Sequence, residues 1–281
     1  MGGTAPVLDG EFARWLAARA GQALLDVRSE LGFSDPGALK AAGDKVAHDL
    51  LRTELARWRP ADAVLSEEDE GARLAWTAEL GEQAAPRLSA DRVWIVDPLD
   101  GTREFAEEGR TDWAVHVALW SRRASSAHRL VAGAVALPAQ QRVLATDTPP
   151  AYPPLTLAAA TNGATSAGRP LRLAASRSRP PVFLTDFAEE IGAELVPMGS
   201  AGAKIAAVVG GEVDAYVHAG GQYEWDSAAP VAVATATGLH ASRLDGSALE
   251  YNQADPRLPD LVVCRADLAA RLLAALRRHT G

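Results

Sequence analysis

Apolar residues recur at helical spacing twice within the first sixty positions. Phe12, Leu16, Leu24, Val27 and Leu31 predict one amphipathic helix with Asp9 as its cap, ended by the Gly/Pro-containing stretch 33–37. Val46, Leu50, Leu51, Leu55 and Trp58 predict a second over residues 40–58, with Asp44 in its first turn. The rhythm then shortens. Residues 63–65 and 93–96 are brief apolar runs that read as buried strands, the second stopping at Asp97-Pro98. Trp113, Val115, Val117 and Leu119 alternate on one face of a further strand, which leaves His116 on the other face among alanines, where a packing role fits it better than a ligand role. Residues 130–137 and 141–146 predict two more strands joined by a Pro-containing turn, hence an antiparallel sheet.

Residues 71–91 read as loop with at most a helical turn. Residues 147–170, rich in Pro, Ala, Gly and Thr, predict a linker or surface flap. Beyond them strands at 171–175, 194–196, 213–217 and 261–263 alternate with helices near 182–191, 199–209, from Asp226 and from Asp267. That alternation predicts α/β layers. Two halves are expected, an α+β half over 1–150 and an α/β half over 151–281.

The balance of charge narrows the chemistry. Among 281 residues, 36 acidic against 28 basic give a net charge of −8, which disfavours binding to a nucleic-acid polymer. A small anionic substrate stays open, because bound cations reverse the sign of a carboxylate-lined site. A single cysteine, Cys264, excludes a disulfide framework and a cysteine-built metal site. The N-terminus shows no signal pattern, and no apolar run nears the ~20 residues of a membrane span. The expectation is therefore a cytoplasmic protein without membrane contact.

Candidate chemistry concentrates at strand ends. Asp97 and Asp100 flank Pro98-Leu99 and precede Gly101-Thr102. Two carboxylates so close repel unless a cation lies between them, and a hard divalent ion suits carboxylate and carbonyl oxygens. Backbone N–H groups at the following turn can hold an anion. Alone, such a turn is common; Glu67 after the 63–65 strand and Asp226 after Trp225 supply matching carboxylates. There is no H-E-x-x-H, no G-x-S-x-G and no dinucleotide fingerprint. Residues 199–204 lack the ending of a phosphate loop, and a tightly packed helix start competes there with a substrate contact. Asp245-Gly246-Ser247 reads as a hairpin turn.

D-P-L-D-G-T at 97–102, S-E-E at 66–68 and E-W-D at 224–226 together resemble the inositol monophosphatase superfamily of Mg²⁺-dependent, lithium-sensitive phosphatases, in family order and over nearly the whole chain. Within it the sequence is most similar to the CysQ-like branch, the 3′(2′),5′-bisphosphate nucleotidases of actinobacterial type. The resemblance implies a layered αβαβα sandwich and two Mg²⁺ ions, with a third in some members. It implies Glu67, Asp97, the Leu99 carbonyl, Asp100 and Asp226 as metal ligands, with Asp97 bridging. Thr102, oriented by Asp44, would position the attacking water, with Glu67 also in the catalytic set; Gly101 and Thr102 would hold the phosphate. Ser200, Lys204, Arg177 and His218 would meet the rest of the substrate, although the branch often has arginine where His218 stands. Inositol-specific members carry a glutamate where this chain has Ala219. The implied reaction is hydrolysis of 3′-phosphoadenosine 5′-phosphate (PAP) to AMP in sulfur assimilation. Inositol 1-phosphate, fructose 1,6-bisphosphate or a broad set of sugar and nucleotide phosphates are the alternative substrates, and an inactive metal and nucleotide sensor the alternative from another class. A homodimer is compatible with the pattern.

Overall fold

The computed structural model describes residues 4–69, 86–152 and 169–280. Both N-terminal helices form where their 3.6-residue spacing places them, yet each starts for its own local reason. Helix α1 (Asp9–Leu31) has Leu8 as its N-cap residue, without a side-chain cap. Asp9 is instead the first helical residue, and its carboxylate accepts from Arg92 Nη1 and Nη2 at 3.0 and 2.9 Å. Helix α2 (Pro36–Trp58) begins ahead of the predicted Lys40. Asp35 Oδ1 accepts from the N–H groups of Gly37 and Ala38, and Pro36 fills the first helical position, where its missing N–H costs nothing. Asp44 consequently lies well inside the helix rather than in its first turn.

The first sheet contains β1 (Ala63–Ser66), β2 (Arg92–Asp100), β3 (Ala114–Ser121), β4 (Leu130–Leu137) and β5 (Arg142–Ala145), neighbours in that order. β1 runs parallel to β2 and the other pairs are antiparallel, as the alternating pattern predicted for β4 and β5. The second sheet orders β6 (Leu171–Ser176), β7 (Ala193–Met198), β8 (Ala215–Tyr223), β9 (His240–Ser242) and β10 (Arg257–Cys264) as β7-β6-β8-β10-β9. Between and after the strands lie α3 (Thr102–Phe105), α4 (Leu184–Ile191), α5 (Ala201–Val209), α6 (Glu224–Ala236) and α7 (Ala269–Thr280). The last starts after a 3-10 turn, Ala266–Leu268, rather than at Asp267.

Period-two alternation divides the core. Trp94, Val96, Trp113, Val115, Val117 and Leu119 bury one face of the first sheet against α1 and α2. Val93, Ile95, Ala114 and Ala118 face the other way, onto α5, α6 and the inner residues Ala174, Tyr216, Leu261 and Val263 of the second sheet. The second sheet's outer residues, Leu173, Val217 and Val262, pack on α4 and α7 through Phe187, Leu272 and Leu276. The layers are αβαβα. Each fully buried Leu or Val contributes roughly 1.5–3 kcal/mol, and the middle layer is shared by both sheets. The flap predicted at 147–170 and the loop at 71–91 lie largely outside the described residues. Among the described residues no helix is long and apolar enough to cross a membrane.

Two strands run four or more residues past their predicted ends. β2 continues past Asp97-Pro98 to Asp100, with an irregular step between Asp97, opposite His116, and Asp100, opposite Ala114. Pro98 sits in that step, where the ladder asks no hydrogen bond of it. β8 continues past His218 because Gly220 and Gly221, at φ 79° and 77°, absorb a shift of register against β10.

Candidate active site

Parallel pairing of β1 with β2 sets Ser66 opposite Val96, so Glu67 and Asp97 leave adjacent strand ends together. β2 then delivers Asp100, and the first turn of α6 delivers Asp226. Oxygens of Asp97, Asp100 and Asp226 all lie within 4.8 Å of one another. Glu67 lines the same cleft, and its charge acts on Asp97 and Asp226. Burial, then the charges of Glu67, Asp100 and Asp226, push the Asp97 carboxyl well above the usual carboxylate range. Asp226 is raised likewise, by burial first and Asp100 next, against a hydrogen bond from the Tyr223 N–H.

The protein pins one oxygen of each aspartate. Leu99 N donates to Asp97 Oδ1 at 3.0 Å, Tyr223 N to Asp226 Oδ2 at 2.7 Å, and Ser200 Oγ and Gly202 N to Asp100 Oδ2 at 2.5 and 2.7 Å. Among the described residues no hydrogen bond is made to the second oxygen of each, which is placed to meet a ligand. An all-oxygen donor set of crowded, buried carboxylates fits a hard divalent cation such as Mg²⁺.

Gly101 turns the chain at φ 87°, and a Cβ there would lie 3.1 Å from the Ser200 Cβ and 3.3 Å from the Asp112 carbonyl. Thr102 opens α3, and its hydroxyl donates to the Leu99 carbonyl at 3.2 Å. α2 lies directly against this turn: a Cβ on Gly43 would meet Leu99 and Phe105 at 3.1 and 2.6 Å. Asp44 follows Gly43 and is half-buried.

The cleft encloses about 320 Å³, and its lining changes character away from the carboxylates. Ser200, Lys204 and His218 line it as predicted. Lys204 is 4% exposed, and its ammonium donates to the carbonyls of Gly199 and Ser200 at 2.9 and 2.7 Å. Burial lowers its pKa, opposed by Asp100 and Glu104. Arg177 is not part of the lining; its guanidinium pairs with Glu104 and Glu107, both at 2.8 Å. Arg179, which sequence reasoning missed, does line the cleft, and among the described residues its guanidinium meets no carboxylate. The S-R-S-R stretch offers two arginines, and only the positions of Glu104 and Glu107 tell them apart. Tyr216 and Gln222 were missed as well: Tyr216 lies within the predicted strand without a motif to single it out, and Gln222 lies past the glycine pair where that strand was expected to have ended. Gln222 Nε2 donates to Tyr216 OH at 2.9 Å while its Oε1 is unpaired. Burial lowers His218 to about 4, so the ring is neutral at pH 7. The Gly220 backbone approaches the ring without hydrogen-bond alignment, and both ring nitrogens stay unpaired.

Comparison with known proteins places these features in company. A family model described as "Inositol monophosphatase family" matches residues 10–280. The 3′-phosphoadenosine 5′-phosphate phosphatase of Mycobacterium leprae is 50% identical over 280 residues, covering 97% of this chain and 95% of that protein. Among solved structures, Mycobacterium tuberculosis SuhB superposes with a TM-score of 0.68 at 22% identity, covering 99% of both chains. CysQ from Bacteroides thetaiotaomicron, described as a bacterial member of the inositol monophosphatase family, gives 0.65 at 23% identity over 90% of this chain and 95% of its own.

Proposed function

The chain belongs to the inositol monophosphatase family, and from that premise we propose that it hydrolyses the 3′-phosphate of PAP to AMP and phosphate. The observation that carries the reading is the polarity of one cleft. Four carboxylates converge at one end, and at the other lie Arg179, which meets no carboxylate among the described residues, and unpaired polar atoms of His218 and Gln222. A substrate with two phosphates, only one of which reacts, matches that division. The half-identical mycobacterial relative, named for PAP, gives the substrate.

Glu67, Asp97, the Leu99 carbonyl, Asp100 and Asp226 would hold two Mg²⁺ ions, with a third where the family uses one. Bound there, the metal neutralises phosphate charge, acidifies a water and stabilises the leaving oxygen. The chain's own groups then act around it. Thr102, on the turn set against the helix that carries Asp44, orients the water; to take the water's proton its hydroxyl gives up its own hydrogen to Asp44, turning it away from the Leu99 carbonyl on which it rests at 3.2 Å. The N–H groups of Gly101 and Thr102, at the start of α3, hold the phosphate. At the remote end Arg179 meets the 5′-phosphate, with His218 beside it; Ser200, bonded to Asp100, and Lys204, held on the Gly199 and Ser200 carbonyls, stand by the carboxylates instead of at the remote end where the sequence put them. Binding energy gained there orients the reacting phosphate, an effect no monophosphate can draw on. Ala219 offers no carboxylate to sugar hydroxyls, and Asp260, its partner in the ladder, is taken by Arg243 at 2.6 Å. The role implied is removal, in the cytoplasm, of PAP left by sulfate activation. The test compares kcat/KM for PAP, inositol 1-phosphate and fructose 1,6-bisphosphate at one Mg²⁺ concentration. PAP should lead, and a preference for inositol 1-phosphate would overturn the substrate while leaving the metal chemistry.

A further inference from the structure

His116 stands on β3 opposite Asp97 in the ladder and is fully buried. Its surroundings are not those of a space-filling side chain. Nδ1 lies 2.9 Å from the Trp225 carbonyl, and a carbonyl only accepts, so Nδ1 carries the hydrogen. Nε2 stands 3.3 Å from Asp100 Oδ2 and has no hydrogen-bond partner of its own. That same Asp100 oxygen receives Ser200 Oγ and the Gly202 N–H. The ring fits only because residue 202 lacks a side chain: a Cβ there would lie 2.0 Å from Nε2. One imidazole thus spans from a carboxylate of the first sheet to the backbone of the residue before Asp226.

We propose that His116 is a positioning residue that fixes Asp100 and Asp226 relative to one another and so sets the affinity of the centre for its divalent cation. The proposal rests on the reading of these carboxylates as metal ligands. Glu67 and Asp97 are kept in register by the pairing of their own strands. Asp100 and Asp226 come from a strand and a helix in different layers and have no shared ladder. His116 and the start of α5 stand together behind Asp100, and the His116 ring also meets the backbone just before Asp226. Groups standing behind metal ligands in this way typically govern affinity by about 10–100-fold.

Mn²⁺ binding to the metal-stripped protein, read from the free-ion signal in electron paramagnetic resonance, tests this without reliance on turnover. His116→Asn keeps a donor near the Nδ1 position and reaches only the Trp225 carbonyl. His116→Gln also fills the Nε2 position and keeps the contact with Asp100. The Asn variant should bind Mn²⁺ about tenfold more weakly and the Gln variant within about threefold of wild type. Melting temperatures should fall alike for the two, and the KM for PAP at saturating metal should not change. Gly202→Ala must displace the ring and should weaken Mn²⁺ binding by about tenfold too. The double variant His116→Ala, Gly202→Ala should then bind no worse than His116→Ala alone, because both changes act through one ring. Equal Mn²⁺ affinity in wild type, Asn and Gln variants overturns the proposal, and so do independent, additive effects at 116 and 202. Wild type that fails to bind Mn²⁺ at all overturns the underlying metal reading with it.

Discussion

The two ends of the cleft are built by opposite means. At the catalytic end Asp97, Asp100 and Asp226 crowd within 4.8 Å, and the protein holds charges together that repel one another. At the remote end the side chains are neutral or cationic, and several polar atoms have no partner: both nitrogens of His218 and Oε1 of Gln222. The first end suits a cation, and the second, on the proposed reading, an anionic group. On the proposed reading rate and selectivity reside in separate groups, so a change at one end should leave the other's signature intact.

The widest separation comes from removing the cation. Chelator should abolish phosphate release, Mg²⁺ should restore it, and Ca²⁺ should support less because its looser coordination fits the geometry poorly; Li⁺ should inhibit. Full activity in chelator would sink the catalytic reading of the carboxylate end. Next comes Asp97→Asn, which removes charge from the carboxylate proposed to bridge two metals. Metal stabilisation of the transition state amounts to several kcal/mol, and at 1.36 kcal/mol per factor of ten the loss in kcat should reach about 10³-fold. Thr102→Ala should lower kcat by about 10²-fold, the scale of a lost proton-transfer partner, while Mn²⁺ affinity stays. A Thr102 variant that loses metal instead would move Thr102 from water to ligand.

Much of the catalytic end was legible because its residues sit at strand ends and in one six-residue turn. Glu67 and Asp97 follow from two short apolar runs, and parallel pairing then brings them together. Proline and glycine misled where they serve rather than break structure. Pro36 starts α2, Pro98 lies within β2, and Gly220 and Gly221 carry β8 onward to Gln222. The remote end was harder, since it depends on which arginine finds carboxylates and which does not. The contact of His116 with Asp100 and Trp225 left no trace in the sequence, because it needs a glycine far along the chain to make room.

A smaller effect separates the ends by pH. Asp97 and Asp226 are held above their ordinary values, so in the metal-free protein they favour the protonated form. The stability they contribute is complete below the unfolded value of about 3.9 and is lost as pH rises through the raised folded values. His116 and His218, lowered by burial, act in the opposite sense, but at the same strength with or without metal if the cation leaves them neutral. The gain in melting temperature on adding Mg²⁺ isolates the carboxylates, and it should grow from pH 5 to pH 8. A gain that shrinks over that range would contradict the crowded-carboxylate account.

The finest division is between two arginines two residues apart. Arg179 lines the cleft and meets no carboxylate among the described residues, whereas Arg177 is engaged by Glu104 and Glu107. A charged hydrogen bond contributes about 1.5–3 kcal/mol, so Arg179→Ala should raise the KM for PAP by about tenfold or more. The same variant should treat 3′-AMP, which lacks the second phosphate, as wild type does. Arg177→Ala breaks an exposed pair with Glu107, which contributes about 0–1 kcal/mol, and a part-buried one with Glu104; the melting temperature should fall, while KM for either substrate should hold within about twofold because Arg177 does not line the cleft. Steady-state kinetics of the two variants on the two substrates gives four numbers, of which one alone should move. If Arg177→Ala raised the KM for PAP and Arg179→Ala did not, the second phosphate would belong to Arg177, and Glu104 and Glu107 would be the carboxylates it leaves on binding substrate.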